Sequence, residues 1–175
     1  HLIAEKPKIT PPTISPRLRI LEKILKEISF SDLPAKDHYA GYMRQRYRRN
    51  CKPNTLRNAS ASLKQFLFFY KISGKNHIEH VAREDIEAFT ESLQDRGLTP
   101  VTVANRLRTV YAFVRFLIEA KVLGYELLER KIRIKLPDRL PRAIDPEDLK
   151  KLLSAIDQVR DRAMILLLLR TGMRI

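Results

Sequence analysis

Apolar residues recur every three or four positions through most of the chain, the spacing of a helix with one buried face. The first such segment begins at Ser15-Pro16, a capping residue followed by proline at the first helical position, and runs to about Ser29. Further helices are predicted over 34–49, 53–72, 83–96 and 99–121. Because no segment of this stretch has a convincing strand pattern, the sequence predicts an all-α fold.

One helical pattern occurs twice, with every matched residue 47 positions apart. Five residues of the helix at 53–72 recur in the helix at 99–121, and these residues are Pro53, Thr55, Asn58, Phe66 and Phe69, matched by Pro100, Thr102, Asn105, Phe113 and Phe116. Each long helix follows a shorter one, so the pattern predicts two helical hairpins packed as a four-helix bundle, with an extra N-terminal helix. Generic helix-start preferences could also produce the Pro-x-Thr beginnings.

The two ends of the chain differ from this helical region. Residues 1–15 are rich in proline and are expected to form a mobile arm before a helical domain over 16–124. Basic and apolar residues alternate within 125–144, which favours an extended basic linker. A third region, 145–175, opens with Asp145 as a helix cap and contains an apolar run, Ala163 to Leu169, that predicts a buried helix ending at Gly172.

The charge of the chain is strongly positive. Lys and Arg number 34 against 20 Asp and Glu, which gives a net charge of +14. Residues 1–75 hold 16 basic and 5 acidic side chains, so most of the excess lies in the first half. Such an excess indicates a polyanionic partner, because each neutralised phosphate releases counterions and adds affinity. A basic surface that has no such partner is the alternative.

Polar and basic residues on the exposed helix faces are the predicted DNA contacts. Arg, Asn, Thr and Ser side chains can donate to phosphates and can also contact base edges in the major groove. The candidates are Arg44, Arg48, Arg49 and Lys52 at the end of the second helix, Thr55, Arg57, Asn58 and Ser62 on the third, Thr102, Asn105, Arg106, Arg108 and Thr109 on the fifth, and Arg133, Lys135 and Arg142 in the linker. Any one of them could also be an ordinary exposed helix residue.

Other features point away from metal, membrane and disulfide chemistry. The helix at 83–96 is acidic and is expected to keep all its carboxylates outside, away from DNA. His77 and His80 have a metal-compatible spacing, but no further ligand completes a site, so no metal or cofactor is predicted. Cys51 is the only cysteine, which excludes an internal disulfide and fits a reducing compartment. The longest apolar run is too short to cross a bilayer.

Short motifs near the C-terminus follow a known order. They are Leu140-Pro141-Arg142-Ala143-Ile144, the helix start Pro146-Glu147-Asp148, Arg160-Asp161-Arg162-Ala163 and Thr171-Gly172-Met173-Arg174. In this order and spacing the chain resembles the tyrosine recombinases, the phage-integrase family. The resemblance implies a SAM-like core-binding domain, a linker and the first helices of a truncated catalytic domain. It also implies double-stranded DNA as partner, a tetramer on DNA, a cytoplasmic location and strand cleavage through a 3′-phosphotyrosyl link without a required metal.

Within that resemblance, Arg174 matches the first catalytic arginine. The catalytic lysine, the His-x-x-Arg pair and the nucleophilic tyrosine are expected beyond Ile175, and His80-x-x-Arg83 lies too early in the chain to be that pair. No tyrosine of this chain stands in the nucleophile's place, so we expect DNA binding without cleavage. Two alternatives remain open here: a stand-alone helical adaptor for nucleic acid or protein, and a regulatory truncated recombinase.

Overall fold

A computed structural model describes residues 15–129, 131–137 and 144–173. The chain divides into two compact units, residues 1–136 and residues 137–175. The boundary falls inside the segment that the sequence analysis assigned to the linker. Nearly all of the predicted N-terminal arm lies outside the described residues.

The described residues of the first unit form six α-helices. They are α1 (Pro16–Phe30), α2 (Lys36–Arg48), α3 (Pro53–Ile72), α4 (Arg83–Asp95), α5 (Pro100–Glu119) and the short α6 (Glu126–Glu129), with a 3₁₀ turn at Ile78–His80. Proline stands at the first helical position of α1, α3 and α5, where its missing N–H costs no hydrogen bond. The predicted helices over 16–121 therefore begin and end within about two residues of their expected positions.

Aromatic residues from four helices form the core of this unit. Phe66 and Phe113, which are matched in the repeat, are 1% and 0% exposed. Phe66 packs edge-on against Phe89 of α4, and Phe113 packs edge-on against Tyr42 of α2, with ring centroids 5.3 and 5.5 Å apart. Edge-to-face pairs at such distances add to the free energy gained from burial. The all-α, SAM-like bundle predicted from the sequence is confirmed.

The 47-residue repeat extends over the whole length of its two helices. α3 and α5 are both 20 residues long, and Gly74 and Lys121, again 47 apart, have φ of 80° and 59° just past the helix ends. The N–H groups of Lys75 and Val122 donate to Tyr70 and Leu117 at 3.2 and 2.9 Å, which closes the same C-terminal turn twice. The two helices therefore share their start, length and termination.

Arg17 attaches α1 to the end of α2. Its Nε donates to the Cys51 carbonyl at 3.1 Å, a terminal nitrogen donates to the Tyr47 carbonyl at 2.5 Å, and its guanidinium lies 4.6 Å from the centre of the Tyr47 ring. A second terminal nitrogen donates to Asn50 Oδ1. Carbonyls at a helix end lack partners within the helix, and a cation there also favours the helix dipole. Arg17 thus holds the loop that joins α2 to α3 in place.

Two sequence expectations for the first unit are corrected. Residues Glu126–Glu129 form a helix inside the segment predicted to be extended, and Leu127 and Leu128 pack partly against the core. Asp85 of α4 is not outside with the other acids, since it is only 7% exposed. It accepts from the Ala82 N–H at 3.0 Å and pairs with Lys75 at 2.6 Å, so it is held inward because it caps its own helix.

The second unit contains two described helices, α7 (Pro146–Ser154) and α8 (Val159–Thr171). The Asp145 side chain accepts from the Glu147 N–H at 2.8 Å, and Gly172 ends α8 with φ of 64°, both as predicted. The prediction of a buried helix over Ala163–Leu169 is wrong, because Leu167 is 54% exposed and no residue of α8 is buried. A pair of short helices has too little surface to bury α8, which is apolar on most of its sides. None of the described helices is long and apolar enough to cross a membrane.

Candidate nucleic-acid interface

The polar faces of α3 and α5 meet in one groove. This central groove, with a volume of about 430 Å³, is lined by Thr55, Asn58, Ala59, Ala61, Ser62 and Gln65 of α3, Thr102, Asn105, Arg106 and Thr109 of α5, and Arg46 of α2. Seven of the predicted DNA-contact residues lie together here. The opposite faces of both helices are buried, so the polar residues are held on a rigid support.

The repeat places equivalent groups on the two sides of the central groove. The Ser62 hydroxyl donates to the Asn58 carbonyl at 2.8 Å, and the Thr109 hydroxyl donates to the Asn105 carbonyl at 3.3 Å. These are the same bond at matched positions. Both asparagine side chains are exposed, and Asn105 Oδ1 accepts from Arg108 at 3.2 Å. The groove therefore offers paired amide and hydroxyl groups to a ligand.

Three polar atoms in this groove are buried without a hydrogen-bond partner. Within the described part of the chain they are Arg46 Nε, Gln65 Oε1 and Arg106 Nη1. Burial lowers the pKa of Arg106, and the positive charge of Arg96 lowers it further. Unpaired buried polar atoms are costly, and like charges repel, so a polar or anionic ligand would relieve both costs. Arg46 and Gln65 were not among the predicted contacts, because the sequence does not show which flanks of α2 and α3 turn toward α5.

A second groove lies between α5 and the chain segment after α6. This flanking groove, with a volume of about 470 Å³, carries four basic residues, Arg108, Arg115, Lys131 and Arg133, around the apolar side chains of Leu107, Ile132 and Ile134. The Ile132 N–H donates to the Tyr111 hydroxyl at 2.8 Å, which fixes the segment to α5. Along this segment basic residues are exposed and isoleucines half-buried, so the predicted alternation of the linker is present at 131–135.

The basic end of α2 is only partly available. Arg44, Arg48 and Lys52 are exposed. Arg49 lies 4.0 Å from Glu119, which also accepts from Gln45 at 3.4 Å, so its charge is partly compensated. Arg44, Arg48 and Lys52 are therefore better candidates for phosphate binding than Arg49.

Arg57 lies away from the other predicted residues of α3. It lines a groove between α1 and α3 together with Lys64, and Arg19 and Lys23 add two basic residues there that were not predicted as contacts. Arg19 and Lys23 are four residues apart on α1, a spacing that could have indicated a basic helix face. Lys135 is exposed, while Arg142 and Arg174 lie outside the described residues.

The two histidines that were considered for metal binding lie side by side. The rings of His77 and His80 have centroids 6.0 Å apart. Among the described residues no group of three or more metal-binding side chains is found.

Comparison with known proteins gives a consistent result. Residues 17–121 match the family model "Phage integrase, N-terminal SAM-like domain". The chain is 32% identical over 133 residues to the tyrosine recombinase XerC of Roseiflexus sp. (strain RS-1), a match covering 73% of this chain and 42% of that protein. XerC of Bacillus subtilis (strain 168) is 26% identical over 132 residues, with 73% and 43% covered, and XerD of Staphylococcus haemolyticus (strain JCSC1435) is 28% identical over 130 residues, with 70% and 43% covered. The matched region spans less than half the length of these curated relatives, and no solved structure matches the chain.

Proposed function

The chain belongs to the tyrosine recombinase, or phage-integrase, family, and on this premise we propose that it binds duplex DNA through the central and flanking grooves. The observation that carries the proposal is the central groove itself. Two repeated helices bring their polar faces together there, and basic groups with unpaired buried atoms lie between them. Such a surface suits a ligand with many acceptor atoms and negative charges, as a DNA groove and its phosphates provide.

The basic residues have two proposed roles. Arg44, Arg48 and Lys52 at the end of α2, together with the four basic residues of the flanking groove, contact phosphates and set the position of the duplex. The polar residues of the central groove contact both the base edges and the backbone of the duplex. The exposed acids of α4, among them Glu84 and Glu91, face away from the DNA because approach to phosphates would be repulsive.

The domain assignments follow the same proposal. Residues 16–124 form the core-binding domain, 125–144 the linker and 145–175 the start of the catalytic domain. In the catalytic domain, Arg174 would stabilise the charge on the phosphate under attack, as expected for phosphoryl transfer. Assembly as a tetramer on DNA and a cytoplasmic location belong to this proposal as well.

This chain is expected to bind DNA without cutting it. Of its six tyrosines, Tyr39, Tyr42 and Tyr70 are buried in the bundle core, and the Tyr111 hydroxyl is bonded to the Ile132 N–H. Covalent protein–DNA adducts formed by this chain would contradict the proposal.

Duplex binding measured against salt concentration tests the proposal. If Arg44 and Arg48 each neutralise one phosphate, the Arg44→Ala/Arg48→Ala variant should flatten the plot of log affinity against log salt by about two units. Asn105→Ala/Arg108→Ala should weaken binding and reduce the slope by about one unit, since only the arginine carries charge. Glu84→Gln/Glu91→Gln on α4 is the matched control and should leave the slope unchanged. Binding that is weak, independent of salt and insensitive to these changes would favour a protein-binding adaptor.

A further inference from the structure

The repeat makes it possible to compare the two walls of the central groove position by position. Three pairs are alike in chemistry: Thr55 with Thr102, Asn58 with Asn105, and Ser62 with Thr109. Three positions differ. Gln65 of α3 corresponds to Ala112 of α5, and Arg106 of α5 corresponds to Ala59 of α3. Ala61 of α3 corresponds to Arg108, which lines the flanking groove and donates to Asn105.

Two of the three positions that break the repeat also have unpaired atoms. Gln65 Oε1 and Arg106 Nη1 are two of the four buried side-chain atoms without a partner in the described residues. The six matched residues contribute none, and Ser62 and Thr109 are bonded to their own helix. Two positions at which α3 and α5 differ are therefore also positions whose side chains have an unsatisfied hydrogen-bonding atom.

Glutamine, asparagine and arginine have the side chains best suited to distinguishing bases. Of these residues on α3 and α5 in the central groove, only Gln65 and Arg106 have a buried atom without a partner in the described part of the chain. A glutamine amide can form two bonds with adenine, and an arginine guanidinium can form two bonds with guanine. Hydroxyl groups, by contrast, bond equally well to phosphates and to several base edges. Both Gln65 and Arg106 are long, half-buried side chains, so they can turn out of the groove when a duplex presents a matching edge.

From these observations we infer that Gln65 and Arg106 determine which DNA sequence the central groove prefers, while the matched hydroxyl groups hold any duplex. The inference rests on the proposed DNA binding. It assigns a sequence-reading role to one residue on each wall and a sequence-independent role to the hydroxyl residues Thr55, Thr102, Ser62 and Thr109.

Selection from a pool of random-sequence duplexes tests this assignment on the full chain. Wild type should enrich a motif. Gln65→Met keeps the side-chain volume but loses the amide, and Arg106→Lys keeps the charge but loses the paired donors. Each variant should lose roughly tenfold or more of the preference at one or two base pairs, while its affinity for the unselected pool stays within about twofold of wild type, as expected when phosphate contacts are kept.

Thr102→Val serves as the matched control from the repeat, because it removes a hydroxyl at nearly constant volume. It should enrich the same motif as wild type, with affinity lowered equally for all sequences. Thermal unfolding followed by circular dichroism confirms that each variant is folded. If Gln65→Met and Arg106→Lys both enrich the wild-type motif with undiminished preference, or if wild type binds the pool and enriches no motif, the inference is wrong while DNA binding stands. Failure of wild type to bind any duplex would overturn the proposed function as well.

Discussion

The helices of the two units begin and end at the same kinds of residue, but the two units differ in how much of their helices is buried. In residues 1–136, the long helices α3 and α5 begin at proline and bury seven and six residues. In residues 137–175, α7 also begins at proline and α8 ends at a left-handed glycine, yet neither helix has a buried residue. Caps and turns therefore specify where a helix lies, whereas burial depends on what else is available to pack against it.

Removing a large side chain from each unit gives the largest expected contrast. Phe113→Ala should lower the free energy of unfolding by about 3–5 kcal/mol, because it leaves a cavity among fully buried rings. Leu167→Ala on α8 should change it by less than about 0.5 kcal/mol, since this side chain is already 54% exposed. Denaturant unfolding followed by circular dichroism measures both. Equal losses would mean that α8 is buried in solution.

Alkaline pH should destabilise the first unit through its buried tyrosines, because every tyrosine of the chain lies in this unit. Burial raises the pKa of Tyr39 to about 12, although the Ser60 hydroxyl, 2.8 Å from the Tyr39 oxygen, can donate to the phenolate and partly opposes the shift. Above pH 10 the unfolded chain releases a proton that the folded chain retains. Stability should therefore fall between about pH 10 and pH 12, by about 2–3 kcal/mol in total for this one group.

Unfolding by denaturant at a series of pH values, with wild type compared with Tyr39→Phe, measures this contribution. The variant starts less stable, since it lacks the hydrogen bond, and the difference should shrink as the pH rises. Tyr125→Phe is the control, because Tyr125 is 67% exposed. Parallel curves for wild type and Tyr39→Phe would show that Tyr39 does not contribute.

A smaller contrast compares two aspartates at the same position of a helix. Asp85 of α4 and Asp148 of α7 both stand third after the cap, and each pairs with a lysine, at 2.6 and 3.4 Å. Asp85→Asn should cost about 1–2 kcal/mol, because it weakens an inward-facing cap. Asp148→Asn should cost less than about 0.5 kcal/mol, because both partners of that pair are exposed. Thermal unfolding of the two variants compares them, and a larger loss for Asp148 would reverse the ranking.

The sequence predicted helix positions well because their determinants are local. Pro53, Pro100 and Pro146 mark helix starts through a backbone constraint that acts within one residue. Asp85 was misjudged although its cap bond to Ala82 is local, because Lys75, the partner that compensates its charge, lies ten residues away. Arg46 and Gln65 were missed because their place in the groove depends on how α2, α3 and α5 pack. Such packing is a tertiary property that helical periodicity does not contain.

The 47-residue repeat has a consequence for how this protein can change over generations. If the matched hydroxyl groups hold the duplex as proposed, each holding residue is present twice, and a substitution in one helix leaves its counterpart in the other. Positions 65 and 106, which have no such counterpart, are then free to vary without loss of the affinity for duplex DNA. A lineage could thus shift to a new target site in single steps, each through a protein that still binds DNA.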